Sequence, residues 1–172
     1  MQRTNKKDIT IQEILYHQSG LPSWLPFYQE VIDKDSYKGR LFSARRDAQH
    51  PVNIGTNTWA NPNFKFKEEY VSPTKTGDYT IQICDNLWLN RSFRKVIEEK
   101  IVEAPLGQKR YVYSDIGFIL LGMLVEQLAG MPMEAYLQSE FTNRWDWSVQ
   151  VTCLCVVWQS RKSFLPITTA SC

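Results

Sequence analysis

Tyr113 stands at the mouth of an almost wholly apolar stretch that runs from Ile116 to Val125, with Ser114 and Asp115 between. A phenol beside two hydrogen-bonding side chains at the start of a buried helix is placed to hold or pass a proton, the task of a general acid or base. The chain has two histidines, His17 and His50, so any serine–histidine–carboxylate mechanism must use one of them. Ser19 lies two residues from His17, and side chains two apart on a helix diverge. His17 is therefore expected to bond nearby loop backbone. Two histidines and scattered cysteines offer no metal-ligand spacing, and neither a metal nor a cofactor is expected.

The elements that must position these groups are mostly helical in prospect. Ser114 and Asp115 are good N-caps and Gly130 then Pro132 supply a stop, which predicts a helix over about 116–129. Ile116, Ile119, Leu120 and Met123 keep the spacing of one face, while Phe118, Leu121, Leu124 and Val125 fill the others. Such a helix should be buried nearly all round and needs a large partner domain. Its uncharged run ends at Glu126, short of the roughly 18–20 residues a bilayer requires, so no membrane span is expected. Thr10 with Glu13 forms a capping box and Ile9 with Ile14 a hydrophobic staple, starting a helix over 10–19 that Gly20 closes. Pro26 at the first helical position predicts a helix over 26–34. Phe93, Val96, Ile97 and Ile101 oppose Glu98, Glu99 and Lys100 in a helix over 92–103, and a last helix is expected over 132–141. Between about 34 and 79, Pro51, Asn53, Asn57, Asn61, Pro62, Asn63 and Pro73 interrupt any period, which reads as a loop-rich lid. Its Trp59, Phe64, Phe66 and Tyr70 either line a cleft or anchor the loop, the commoner use of such aromatics. Tyr79–Ile83 alternates and predicts a short strand leading to Asp85 and Asn86.

Residues 113–130 resemble the tyrosine-containing motif of the penicillin-recognising serine hydrolases, the family of class C β-lactamases, DD-peptidases and related esterases. Ile9-Thr10-Ile11-Gln12-Glu13-Ile14-Leu15-Tyr16-His17-Gln18-Ser19-Gly20-Leu21-Pro22 is similar to the same family's segment ending in His-x-Ser-Gly-Leu. The two segments occur in the family's order at a compatible separation, and together they cover most of 8–141, so the chain is identified as β-lactamase-related. The resemblance implies an α+β, β-lactamase/transpeptidase-like fold, of which this chain carries mostly the helical part and lacks the strands near the two chain ends. It also implies acyl-enzyme chemistry: a serine of an S-x-x-K motif is acylated, its lysine helps deprotonate it, a tyrosine shuttles protons, and a late K-T-G or H-x-G strand borders the substrate. Tyr113 takes the acid/base place. Asp115 falls where the pattern has Asn; an ionised Asp only accepts hydrogen bonds, whereas Asn also donates, so the contact to lysine or substrate is altered. Tyr111 is a second tyrosine, but Val112-Tyr113 after it does not fit the motif.

Two segments spell family motifs out of place. Ser92-Phe93-Arg94-Lys95 satisfies S-x-x-K but follows the His-x-Ser-Gly segment, whereas the family's nucleophile precedes it, and the start of the 92–103 helix explains it. Lys75-Thr76-Gly77 precedes Tyr113 instead of following it and, among Pro73, Thr74 and Asp78, reads as a turn. Residues 2–8 form a polar lead without an apolar core, so the upstream nucleophile helix is expected to be missing.

At 172 residues the chain is one domain's worth, and 20 basic against 18 acidic groups leave a net +2, too weak a field for nucleic acid. Residues 1–141 read as a partial hydrolase domain and 142–172 as an atypical tail. Three of the four cysteines, Cys153, Cys155 and Cys172, and Trp145, Trp147 and Trp158 fall in that tail, which suggests non-native sequence despite a strand-like run over 149–157. Three functions follow: a fragment of a serine hydrolase, inactive alone; a small hydrolase using Ser92 or Ser19; or a non-catalytic helical interaction module on the same scaffold. By the resemblance the parent takes a small-molecule or peptide-like substrate, a β-lactam, peptide or ester, and works outside the cytoplasm.

Overall fold

Thr10 starts the first helix as its side chain dictates. In the computed structural model, which describes residues 4–143, the Thr10 hydroxyl accepts from the Glu13 N–H and the Glu13 carboxylate accepts from the Thr10 N–H. The helix, α1 (Ile11–Leu15), stops well before Gly20. His17 takes a left-handed φ of 55°, the His17 N–H bonds to the Ile14 carbonyl, and the Gln18 N–H bonds to the Glu13 carbonyl. This is the Schellman closure with histidine in the place glycine usually fills, and it is why the helix expected over 10–19 is shorter.

Contacts divide the described residues into two units, one of 4–25 and 97–143, the other of 26–96. The first holds α1, the C-terminal part of α2 (Phe93–Glu103), α3 (Asp115–Ala129) and α4 (Met133–Leu137). Its buried residues include Leu21, Ile101, Ala104 and Ile116. Against α1, Gly117 of α3 is the residue that permits approach: a Cβ there would come within 2.8 Å of Ile14 Cγ2. Lys6 is buried and its ammonium donates to the Val102 and Ala104 carbonyls and to Asn5 Oδ1. It thus places a cation on the carbonyls at the end of α2, where the helix dipole favours one. α3 ends at Gly130, left-handed at φ 68°, as its sequence predicts. α4 passes into a π turn, Gln138–Thr142, in place of a continuous helix over 132–141. The all-round burial expected of α3 is not found. Only Ile116 and Gly117 are buried, while Phe118 is 50% and Leu128 79% exposed.

The second unit corrects the mainly helical expectation and the loop-rich reading of 34–79. It carries eight short strands in three antiparallel sheets: β1 (Ile32–Asp33) with β5 (Lys65–Phe66); β2 (Phe42–Ser43), β4 (Thr58–Ala60) and β3 (Val52–Gly55) in that order; and β6 (Val71–Ser72), β8 (Leu87–Asn90) and β7 (Tyr79–Cys84). The fold is therefore mixed, helix with antiparallel strand. Strands of two to four residues are too short to display alternation, whereas the six of β7 do display it. In place of a helix over 26–34 there is one 3₁₀ turn, Phe27–Glu30, followed at once by β1. Phe93 closes this unit's core with Val31, Ile32, Ala60, Val71 and Cys84, and its ring meets that of Tyr70 edge-on at 5.2 Å. Phe64 and Phe66 likewise meet edge-on at 5.3 Å, and Arg46 lies over the Trp59 ring at 5.6 Å.

Among the described residues no single helix is long and apolar enough to cross a membrane. The run over 149–157 and nearly all of the tail lie outside the described residues.

Candidate active site

The two sequence segments that carry the chemistry are joined along their length within one unit. The Val112 N–H donates to the His17 carbonyl at 2.9 Å, the Asp115 N–H to the Ser23 carbonyl at 2.9 Å and the Gly107 N–H to the Gly20 carbonyl at 2.8 Å. Ser114 adds two more bonds: its hydroxyl donates to the Pro22 carbonyl at 2.7 Å, and its N–H donates to His17 Nδ1 at 3.3 Å. Ser114 is buried, and it fastens segments where an N-cap was expected; its side chain makes no capping bond to α3. Gly20 is left-handed at φ 76°, and a Cβ on it would lie 2.5 Å from the Gly107 carbonyl oxygen. Only glycine allows that approach.

This fastening sets Tyr113 against His17. Their ring centroids are 4.7 Å apart at 45°, and Phe118 closes on His17 at 5.4 Å edge-on. The Tyr111 ring lies 6.0 Å from that of His17 and edge-on to it. His17 Nδ1 accepts a backbone N–H, which leaves the ring proton on Nε2. The role expected for it, bonding nearby backbone, is what the geometry gives. Tyr113 is 54% exposed. The Asp115 carboxylate, by hydrogen bonding and then by its charge, holds the Tyr113 phenol above the ordinary tyrosine range. At neutral pH this pair is a protonated phenol beside a carboxylate, a proton donor with a built-in acceptor.

The other candidates fall away from it. Ser19 is only 2% exposed and its Oγ accepts from the Leu21 N–H at 3.4 Å, so it shapes the turn instead of facing substrate. Ser92 and Lys95 are both exposed; the Lys95 N–H donates to the Ser92 carbonyl at 2.9 Å as the first turn of the helix, and among the described residues no side-chain hydrogen bond joins them. Ser92 sits in the turn ahead of α2, its N–H donating to Asn90 Oδ1. Lys75, Thr76 and Gly77 form the turn into β7: the Tyr79 N–H donates to the Thr76 carbonyl at 2.9 Å and Gly77 is left-handed. The sequence reading missed Ser114 and Phe118 as the residues that hold His17 and Tyr113 together. A small polar residue directly before a helix is read as a cap by default, and no local pattern announces a bond to a carbonyl 92 residues away.

A family model described as Beta-lactamase matches residues 1–150. The chain is 28% identical over 138 residues to the N-acetylmuramyl-L-alanine amidase of Bacillus subtilis (strain 168). That match covers 78% of this chain and spans 19% of the amidase. No solved structure matches.

Proposed function

Because the chain belongs to the β-lactamase family, and hydrolase-type activity holds at that family level, we propose that it is the Tyr113-bearing part of a serine hydrolase domain that cleaves esters or amides through an acyl-enzyme. The substrate class is peptidoglycan-like, β-lactam or ester. The amidase relative, by its name, acts on an N-acetylmuramyl-L-alanine amide, which makes such an amide the first substrate to try. The reading rests on one observation above the rest: Tyr113 is exposed, its ring tilted against that of His17, with Asp115 acting on its hydroxyl.

In acyl transfer a proton must leave the nucleophile and another must reach the leaving group. Tyr113, kept protonated by Asp115, supplies the second. To take a proton from a serine it first needs a cation that offsets the Asp115 charge and brings the phenol down. The lysine of an S-x-x-K segment would be that cation, and neither Ser92 nor Ser19 is arranged with such a partner. The 172-residue polypeptide is therefore inactive alone.

Turnover of a chromogenic ester, a β-lactam and a muramyl amide by the 172-residue chain is the test, with Ser92→Ala beside it. No turnover is the result in keeping with the reading, and turnover that Ser92→Ala abolishes overturns it. Supplying an upstream S-x-x-K segment and a downstream K-T-G or H-x-G strand should create activity. Tyr113→Phe should then lower it by roughly 10²–10⁴, the usual worth of a positioned acid or base.

A further inference from the structure

The unit of residues 26–96 contains a cleft of about 330 Å³ that no step above uses. This is near the small end of ligand sites, which run from about 300 to 1,000 Å³. Its lining combines the rings of Tyr28, Tyr37 and Phe42, the buried Ile32, and two cations, Lys34 and Arg40. The Tyr28 and Phe42 rings are tilted to one another with centroids 6.1 Å apart. No carboxylate lines the cleft; Asp33 and Asp35 flank Lys34 in sequence but are not part of the lining. Among the described residues neither the Lys34 ammonium nor the Arg40 guanidinium has a partner.

The wall that carries Arg40 is fixed from behind. His50 donates from Nε2 to the Arg40 carbonyl at 2.8 Å and from Nδ1 to Asp47 at 2.7 Å, and the Asn61 N–H donates to the Leu41 carbonyl at 2.9 Å. His50 and Asn61 are both buried. Gly39, left-handed at φ 82°, lies so near the 47–50 turn that a Cβ would be 3.1 Å from Gln49 Oε1. The backbone that carries Arg40 is thus fixed before a ligand arrives, and only the exposed side chain has freedom to lose.

We propose that this cleft binds a small carboxylate with a flat apolar face, the face against the aromatic rings and the carboxylate between Lys34 and Arg40. The guanidinium offers paired N–H donors to such a group. This site is independent of the Tyr113 reading and stands whether or not that reading does.

The test is a titration of the ¹⁵N-labelled 172-residue chain with N-benzoylglycine, and in parallel with its uncharged primary amide and with inorganic phosphate. Saturable shifts of the 37–42 amides by N-benzoylglycine are expected, with the other two probes binding more weakly. Arg40→Gln should weaken N-benzoylglycine about three- to ten-fold, the worth of one partly exposed charge-assisted contact. That substitution keeps the backbone carbonyl that His50 holds. Tyr37→Leu should weaken it as well, and Lys95→Gln, an exposed basic residue outside the cleft, should not. Equal binding of the amide, equal binding of phosphate, or shifts absent from 37–42 at probe saturation would each overturn the proposal.

Discussion

An aspartate beside a tyrosine sets the direction in which a proton moves. Asp115 raises the Tyr113 phenol because a tyrosinate would face a second negative charge and give up a hydrogen bond to it. Asp115→Asn removes the charge and should bring the Tyr113 titration down toward the ordinary value, read from its ring-carbon resonance; an unchanged midpoint would show that the carboxylate does not act on the phenol. The sequence reading did not pair Asp115 with the phenol; what was legible was that the two residues, two apart, stand at the entry to one helix. The role of His50 was not legible, because its partners include a carbonyl ten residues away. Both of its ring nitrogens face oxygen acceptors, so both carry protons and the folded state holds imidazolium. The Arg40 carbonyl and then Asp47 raise the His50 pKa above 6.5, and the bond from His50, more than any other cause, lowers that of Asp47 below 3.8. The sign follows. The His50 contribution to stability is complete below its unfolded value and is lost as pH rises through the higher folded one. The Asp47 contribution is present above its own unfolded value and is lost as pH falls through the folded one. Urea melts should therefore show the chain losing stability as pH rises from below 6.5 through the higher folded value of His50, with a slope that His50→Gln reduces. A slope identical in the variant would remove His50 as its source.

At the scale of elements, two close backbone approaches fix the candidate site. The turn at Gly20 meets Gly107, and α1 meets α3 at Gly117. Gly20→Ala combines a strained left-handed φ with a clash against backbone, which cannot swing aside as a side-chain end can. It should cost about 2–4 kcal/mol, roughly 1 from the backbone conformation and 1–3 from overpacking. Gly117→Ala meets only the Ile14 methyl and should cost about 1–2 kcal/mol, near the low end of overpacking. Urea denaturation of both variants checks the order, and a Gly20→Ala chain as stable as the parent would mean that the turn does not pack on Gly107 in solution. The elements that sequence revealed are those whose signals are local: the capping box at Thr10, the glycine stop of α3, the alternation of β7. Those it hid are set by partners distant in the chain. The two residues of β2 and the two of β5 are strands because β4 and β1 pair with them, and nothing in their own residues demands it.

For the whole molecule, the distribution of exposed apolar surface is the decisive quantity. Ile11, Leu15, Tyr16, Trp24, Tyr111, Tyr113, Phe118, Leu128, Met131 and Phe141 are all exposed, and all belong to the unit of 4–25 and 97–143. No large hydrophobic residue of 26–96 is exposed to that degree. The sequence reading expected the reverse, an α3 apolar on every face and buried nearly all round, but α1 and α4 are too short to cover it. Fully burying one such side chain is worth about 1.5–3 kcal/mol, so several left in water on one unit favour binding to other apolar surfaces. The 172-residue chain should accordingly bind an anilinonaphthalene dye and self-associate as its concentration rises, followed by fluorescence and by sedimentation velocity. Leu128→Gln should weaken both without lowering stability, because that side chain, 79% exposed, has little native packing to lose. Trp59→Gln, in the other unit, should leave dye binding unchanged at concentrations where the chain stays folded. A wild-type chain that is dye-silent and monomeric would mean that these side chains are covered in solution, and the view of α3 as a helix still lacking its partner would have to be given up.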